Sequence, residues 1–250
     1  MRKTVGTLAM LALVASTAQA QIAPSGVWNT MANPPGVTFG GTGINTPMMQ
    51  RSLTGVDLYL AATPRGAGGN PAVTNNGAGT FYAQPGPDQS LTPVAGYAQW
   101  NWNFAVLGAG SENYKYALFY DLNSAMGTSQ AGLYRTAFFN VANNSTAAQN
   151  SWNNGMGFLS TGTGFPAGWL APTLPPTFNS NAGGEFTYVL AAYRLSGTDY
   201  SLASNNADLA GYVSMNVNVV PEPSTYLLMG AGLAGVLFAA RRRRNRATIA

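Results

Sequence analysis

The chain has 250 residues, with 12 Lys and Arg against 8 Asp and Glu for a formal charge of +4, and it contains neither histidine nor cysteine. Those two absences exclude Ser-His-Asp triads, Cys-His dyads, histidine or thiolate metal sites and disulfides. Stability has to come from a hydrophobic core, and no cofactor is expected.

At the start, Arg2 and Lys3 precede an apolar stretch from Val5 to Ala15, and Ala18-Gln19-Ala20 places small residues at alternate positions. This pattern is a secretory signal peptide over residues 1–20, with signal peptidase, at Ala18 and Ala20, expected to cut after Ala20. The apolar run is too short, and too soon followed by the cleavage site, to be a stable membrane span.

The body, residues 21–220, opens with prolines and glycines up to Gln50, with a strand expected around Gly36 to Phe39. Thr54 to Ala62 is the first well-formed strand, and Gly79 to Ala83 a second, after a Gly/Asn/Pro loop. Ala98, Trp100, Trp102, Phe104 and Val106 then alternate with more polar neighbours, the two-residue period of a half-buried strand. Tyr114, Tyr116, Leu118 and Tyr120 repeat it, and a hairpin turning at Gly108 to Asn113 is expected to join the two. Leu133 to Val141 is a further strand, whereas Asn143 to Asn181 reads as loop. Glu185 to Leu195 and Tyr212 to Val220 close the domain. Many short alternating strands between Gly/Pro-rich turns predict an all-β fold, an antiparallel β-sandwich of immunoglobulin-like or jelly-roll type.

At the far end, Pro221-Glu222-Pro223 follows the last strand directly. Flanking prolines hold such a tripeptide extended and outside any helix. Residues 224–240 are then uncharged and largely apolar. As a helix they would be about 26 Å long against a hydrocarbon core of about 30 Å, a short but usable span. Arg241, Arg242, Arg243, Arg244 and Arg246 come next, and such a cationic flank stays cytoplasmic. The C-terminus therefore faces in, and everything before Pro221 faces out, which agrees with export. Gly230-Ala231-Gly232-Leu233-Ala234-Gly235 has the letters of a dinucleotide fingerprint, but it lies within this apolar run and not between a strand and a helix. Its small residues suit close helix approach.

A Pro-Glu-Pro tripeptide, a short apolar helix and a terminal arginine cluster, in this order over residues 221–246, resemble the PEP-CTERM sorting signal of Gram-negative bacteria. The resemblance covers about a tenth of the chain. It implies recognition by an exosortase, a multi-spanning membrane cysteine transpeptidase that cuts near Pro221, Glu222 and Pro223 and discards the helix. It also implies transient anchoring in the inner membrane, followed by transfer to the cell surface or an extracellular polysaccharide matrix.

With both ends set aside, the body keeps five basic residues and seven acids, a charge near −2. The basic excess thus belongs to the targeting segments, and nucleic-acid binding is not expected. Three readings of the body follow. In the first it is a non-catalytic surface or matrix protein associated with exopolysaccharide, as in a biofilm. In the second it is a carbohydrate-binding module, with Trp100, Trp102, Trp152 or Trp169 as stacking platforms for sugar rings. In the third it is a glycan hydrolase using two of Asp57, Asp88, Glu112, Asp121, Glu185, Asp199 and Asp208. Asp121 and Asn123 also occupy the first and third places of a calcium-loop pattern that fails further on, with Ala125 at the fifth place and Gly132 at the twelfth. The plainer expectation there is a turn in which both side chains bond backbone amides.

Overall fold

The computed structural model describes residues 22–30, 47–125, 128, 133–138, 147–161, 169–170, 178–220 and 229–236. In chain order the strands are β1 (Val27–Asn29), β2 (Met48–Leu53), β3 (Val56–Pro64), β4 (Thr74–Asn75), β5 (Thr80–Ala83) and β6 (Trp100–Leu107). They continue as β7 (Tyr114–Tyr120), β8 (Tyr134–Phe138), β9 (Ala147–Trp152), β10 (Trp169–Leu170), β11 (Gly184–Arg194) and β12 (Leu209–Val219), with one short helix, α1 (Gly157–Thr161).

Two sheets result. One has five strands in the order β1-β2-β3-β6-β9, the other seven in the order β10-β8-β7-β11-β12-β5-β4. Neighbours are antiparallel except β12 and β5, which run parallel. The inward faces share one core in which Trp100, Trp102 and Phe104 of β6 meet Tyr116, Leu118 and Tyr120 of β7 and Phe186, Tyr188 and Leu190 of β11. Trp102 lies between Tyr188, stacked at 4.9 Å, and Tyr120, stacked at 6.0 Å. A second, smaller cluster on the outer face of the larger sheet is built from Ala117, Phe119, Val189, Ala191 and Tyr193 and is partly covered by Ile22, Tyr200 and Leu202.

The all-β expectation holds, but the expected β6–β7 hairpin does not. β6 pairs with β3 and β9, β7 pairs with β11 and β8, and the connection between them crosses from one sheet to the other. Two strands with strongly aromatic faces bury more surface by facing each other across the core than by lying side by side. The crossing is tight. Gly110 N bonds Gly55 O at 2.9 Å, and a short 3₁₀ turn over Ser111–Asn113 leads into β7. Sequence periodicity also overlooks β1, β2, β4, β9, β10 and α1, and the strand expected around Gly36 to Phe39 falls outside the described residues.

Candidate functional site

β12 leads into the C-terminal motif, so its anchorage decides what that motif hangs from. Val213, Met215, Val217 and Val219 point into the core, and Ser214, Asn216 and Asn218 point outward. The strand is held on both edges. β11 pairs along its length from Gly184↔Val219 to Tyr193↔Leu209, and β5 pairs Thr80 to Ala83 with Asn216 to Val219. Outward, Thr187 Oγ1 donates to Asn216 Oδ1 at 3.2 Å. Further back, Ser25 and Ser214 exchange backbone bonds of 3.2 and 2.9 Å, and Ser214 Oγ donates to Ala23 O at 2.8 Å.

The ladder reaches one residue beyond the strand. Val220 N donates to Ala83 O at 3.0 Å, and the next residue, Pro221, has no N–H to extend the pairing. Gly184 closes the exit from the other side with φ +138°, where a Cβ would stand 1.9 Å from Ser124 O. Because β5 runs parallel to β12, both strands end at this same end of the sandwich. From Ala83 the chain returns to β6 through a loop pinched by the Pro87–Ala98 bridge.

Asp88 organises that loop. Its Oδ1 accepts from Ser90 N at 2.9 Å and Asn70 Nδ2 at 2.8 Å, its Oδ2 accepts from Val94 N at 2.9 Å, and Arg65 Nη1 lies 2.8 Å from Oδ2. Burial pushes its carboxyl up, but the bonds from Asn70, Ser90 and Val94 outweigh burial and bring its pKa down to about 2. The Arg65 guanidinium also sits 4.7 Å above the Tyr97 ring.

The other sequence candidates divide. Trp100, Trp102 and Trp152 are buried, with exposures of 2%, 0% and 2%, so these three do not form an exposed platform for sugar rings. They are core because the opposite sheet covers the face they share. Trp102 Nε1 donates to Asn154 Oδ1 at 3.0 Å, and Trp152 packs edge-on to Trp102 at 5.2 Å. Trp169 opens β10, paired with Phe138 of β8.

Asp121 and Asn123 form the expected turn. Asp121 Oδ1 accepts from Asn123 N at 2.8 Å, and Asn123 Oδ1 accepts from Ala125 N at 3.2 Å. Asp121 Oδ2 accepts from Thr128 Oγ1 at 2.5 Å. Burial is the main influence on Asp121 and raises its pKa to about 6, against the lowering bonds from Thr128, Asn123 and Thr187, with the Glu185 charge adding to the rise. Among the described residues no group of three or more acidic side chains is placed to hold a metal ion.

Of the acids considered for hydrolysis, Asp88 is ion-paired, Asp121 is fully buried, and Asp208 Oδ2 accepts from the amides of Thr198 and Asp199 at 2.9 and 3.1 Å. Sequence reasoning places Ala83 at the end of a strand and Asp88 among the acids, but it missed that Ala83, Gly184 and the Asp88 loop together shape the exit. The Gly-Pro-Asp run at 86–88 was the available signal for a structured turn, but nothing local shows that it adjoins β12.

A family model for the PEP-CTERM protein-sorting motif matches residues 219–244, beginning on the last residue of β12. The chain carries a PEP-CTERM sorting motif. Comparison with curated proteins and with solved structures gives no match. Of the PEP-CTERM segment, Pro221, Glu222, Pro223 and the arginines Arg241 to Arg244 and Arg246 lie outside the described residues, as do Ala18 and Ala20 of the N-terminal signal. Residues 229–236 are helical, with Met229, Leu233 and Val236 exposed. Among the described residues no helix is long and apolar enough to cross a membrane, and the rest of the 224–240 span expected from sequence is not described. The PEP-CTERM motif implies export and exosortase processing. In physical terms, it begins where the last ladder bond of the domain ends.

Proposed function

We propose that this is an exported protein, led out by residues 1–20 and held transiently in the inner membrane by residues 224–240, with Arg241 to Arg244 and Arg246 on the cytoplasmic side. An exosortase-type enzyme then cuts at or near Pro221-Glu222-Pro223, and the body passes to the cell surface or an exopolysaccharide matrix. On this reading the body is a scaffold of immunoglobulin-like or jelly-roll kind with no catalytic activity of its own. Support for the last point comes from the lack of histidine and cysteine and from the structural engagement of Asp88, Asp121 and Asp208.

The observation that carries the proposal is the Val220 N to Ala83 O bond immediately before Pro221. Among the described residues, those beyond Val220 contribute no strand and no core side chain to the domain, so a cut there and folding do not compete. The test is the intact mass of the protein recovered from its native host, for the wild type and for Glu222→Ala. A wild-type mass ending near residues 221–223, with the tail retained in the variant, supports sorting. A wild-type protein that still carries the arginines is a permanently anchored membrane protein and refutes transfer to the surface.

A further inference from the structure

Among the described residues of the body, the large apolar side chains left exposed are Val27, Leu91, Val94, Leu195 and Val220. Isolated exposed leucines or valines are ordinary on a soluble protein. Here their placement is informative, because Leu91 (80% exposed), Val94 (39%) and Val220 (40%) all belong to the end of the sandwich from which the sorting motif leaves. Leu195 follows β11, which begins opposite Val219, and so marks the far end.

The loop bearing Leu91 and Val94 is tied down. Asp88 holds the amides of Ser90 and Val94, Leu91 N donates to Ala67 O at 3.2 Å, and Tyr97 N donates to Val94 O at 3.2 Å. Its apolar tips are therefore presented without the entropy cost of ordering a free loop. The tether supplies the occupant. From Val220, fixed to Ala83, to Ser224, where the expected span begins, the chain reaches at most about 14 Å. While the tail is inserted, this end of the domain cannot move farther than that from the bilayer.

We propose that the anchored protein rests this end on the lipid surface, with Leu91 and Val94 entering the headgroup region. The inference rests on the membrane-anchored reading of the tail. It gives the body a fixed orientation that keeps the Pro-Glu-Pro segment at the level where a membrane-embedded enzyme works. It also explains release, because two aliphatic side chains bind a bilayer too weakly to hold a domain once the helix is removed.

Since the chain has no cysteine, single labels can be placed without ambiguity. The full chain, tail included, is inserted into vesicles of phosphatidylethanolamine and phosphatidylglycerol. It carries an environment-sensitive fluorophore at Leu91→Cys, Val94→Cys, Leu195→Cys or Leu233→Cys, and is read by quenching with nitroxide-labelled lipid. The expected result is quenching at 91, 94 and 233 several-fold greater than at 195. Quenching at 233 but none above the level of 195 at positions 91 and 94 overturns this inference and leaves the anchor intact. No quenching at 233 overturns the anchor reading and this inference with it. Shielding of 91 that appears only when the processing enzyme is added assigns the surface to a protein, and the lipid proposal fails.

Discussion

Val220 N bonds Ala83 O at 3.0 Å across the parallel pair of β12 and β5, and this bond is the last that the domain makes before Pro221. On the other edge, Gly184 faces Val219. Its backbone, at φ +138°, is in a region that a side chain rarely adopts, and a Cβ there would collide with Ser124 O. Gly184→Ala is expected to cost about 1–3 kcal/mol and to fray the end of β12. Denaturant unfolding should show the loss, and the Val220 amide should exchange faster than in the wild type. An unchanged Val220 exchange rate in a destabilised variant would mean that β5 alone holds the exit.

Two buried carboxyls set opposite pH dependences. Asp88 has its pKa lowered from 3.8 to about 2, so its contribution is fully present above the unfolded value and is lost as pH falls toward 2. That contribution is about 2 kcal/mol. Asp121 has its pKa raised from 3.8 to about 6, so its contribution is present below the unfolded value and is lost as pH rises through 6. Above that pH the fold carries the cost of a buried carboxylate, about 3 kcal/mol. Urea midpoints should therefore rise as pH is lowered from about 7 toward 4, then fall. Asp121→Asn should flatten the first limb. Asp88→Asn should lower stability at neutral pH and weaken the second limb. A wild-type profile that is flat between about pH 4 and 7 would contradict the burial of Asp121.

Much of this fold is legible from alternation alone, because β6, β7, β11 and β12 each place bulky apolar residues on one face. What alternation cannot reveal is the partner. Tyr120 and Trp102 stack across the core, yet the same period suits two strands of one hairpin equally well. β9, with the sequence Ala-Ala-Gln-Asn-Ser-Trp, has little β propensity and forms an edge strand through backbone pairing with β6. The sorting motif is legible because its order of proline, apolar helix and arginine is local. The exit geometry is not, because Ala83, Ser124 and Gly184 lie far from Pro221 along the chain.

The burial of the tryptophans is itself testable. Trp102 touches Tyr120, Tyr188, Phe104 and Trp152, and its indole N–H is bonded to Asn154. Trp102→Ala is expected to cost about 3–5 kcal/mol, through lost burial and a cavity that the rigid sheets cannot close. Oligosaccharides added to the wild-type body should leave the emission of Trp100, Trp102 and Trp152 unshifted. A saturable shift that disappears in Trp102→Phe would return the carbohydrate-binding reading to these residues.

The N-terminal segment of the body bears on the same strand. Ile22 N donates to Thr128 O at 3.3 Å, Ile22 packs on the outer cluster, and Ala23 and Ser25 bond Ser214 of β12. The docked segment thus begins two residues after Ala20, the expected cleavage site. A body that starts at Gly26 loses these bonds and uncovers part of the outer cluster, and is expected to be less stable by about 2–3 kcal/mol. Ser214→Ala, which removes only the side-chain bond to Ala23, should lose about 1 kcal/mol. Thermal unfolding of the body from Gln21, of the body from Gly26 and of Ser214→Ala should rank them in the order Gln21 body, Ser214→Ala, Gly26 body. Equal stability of the two bodies would show that residues 21–25 lie on the sheet without holding it, and that β12 is secured by β11 and β5 alone.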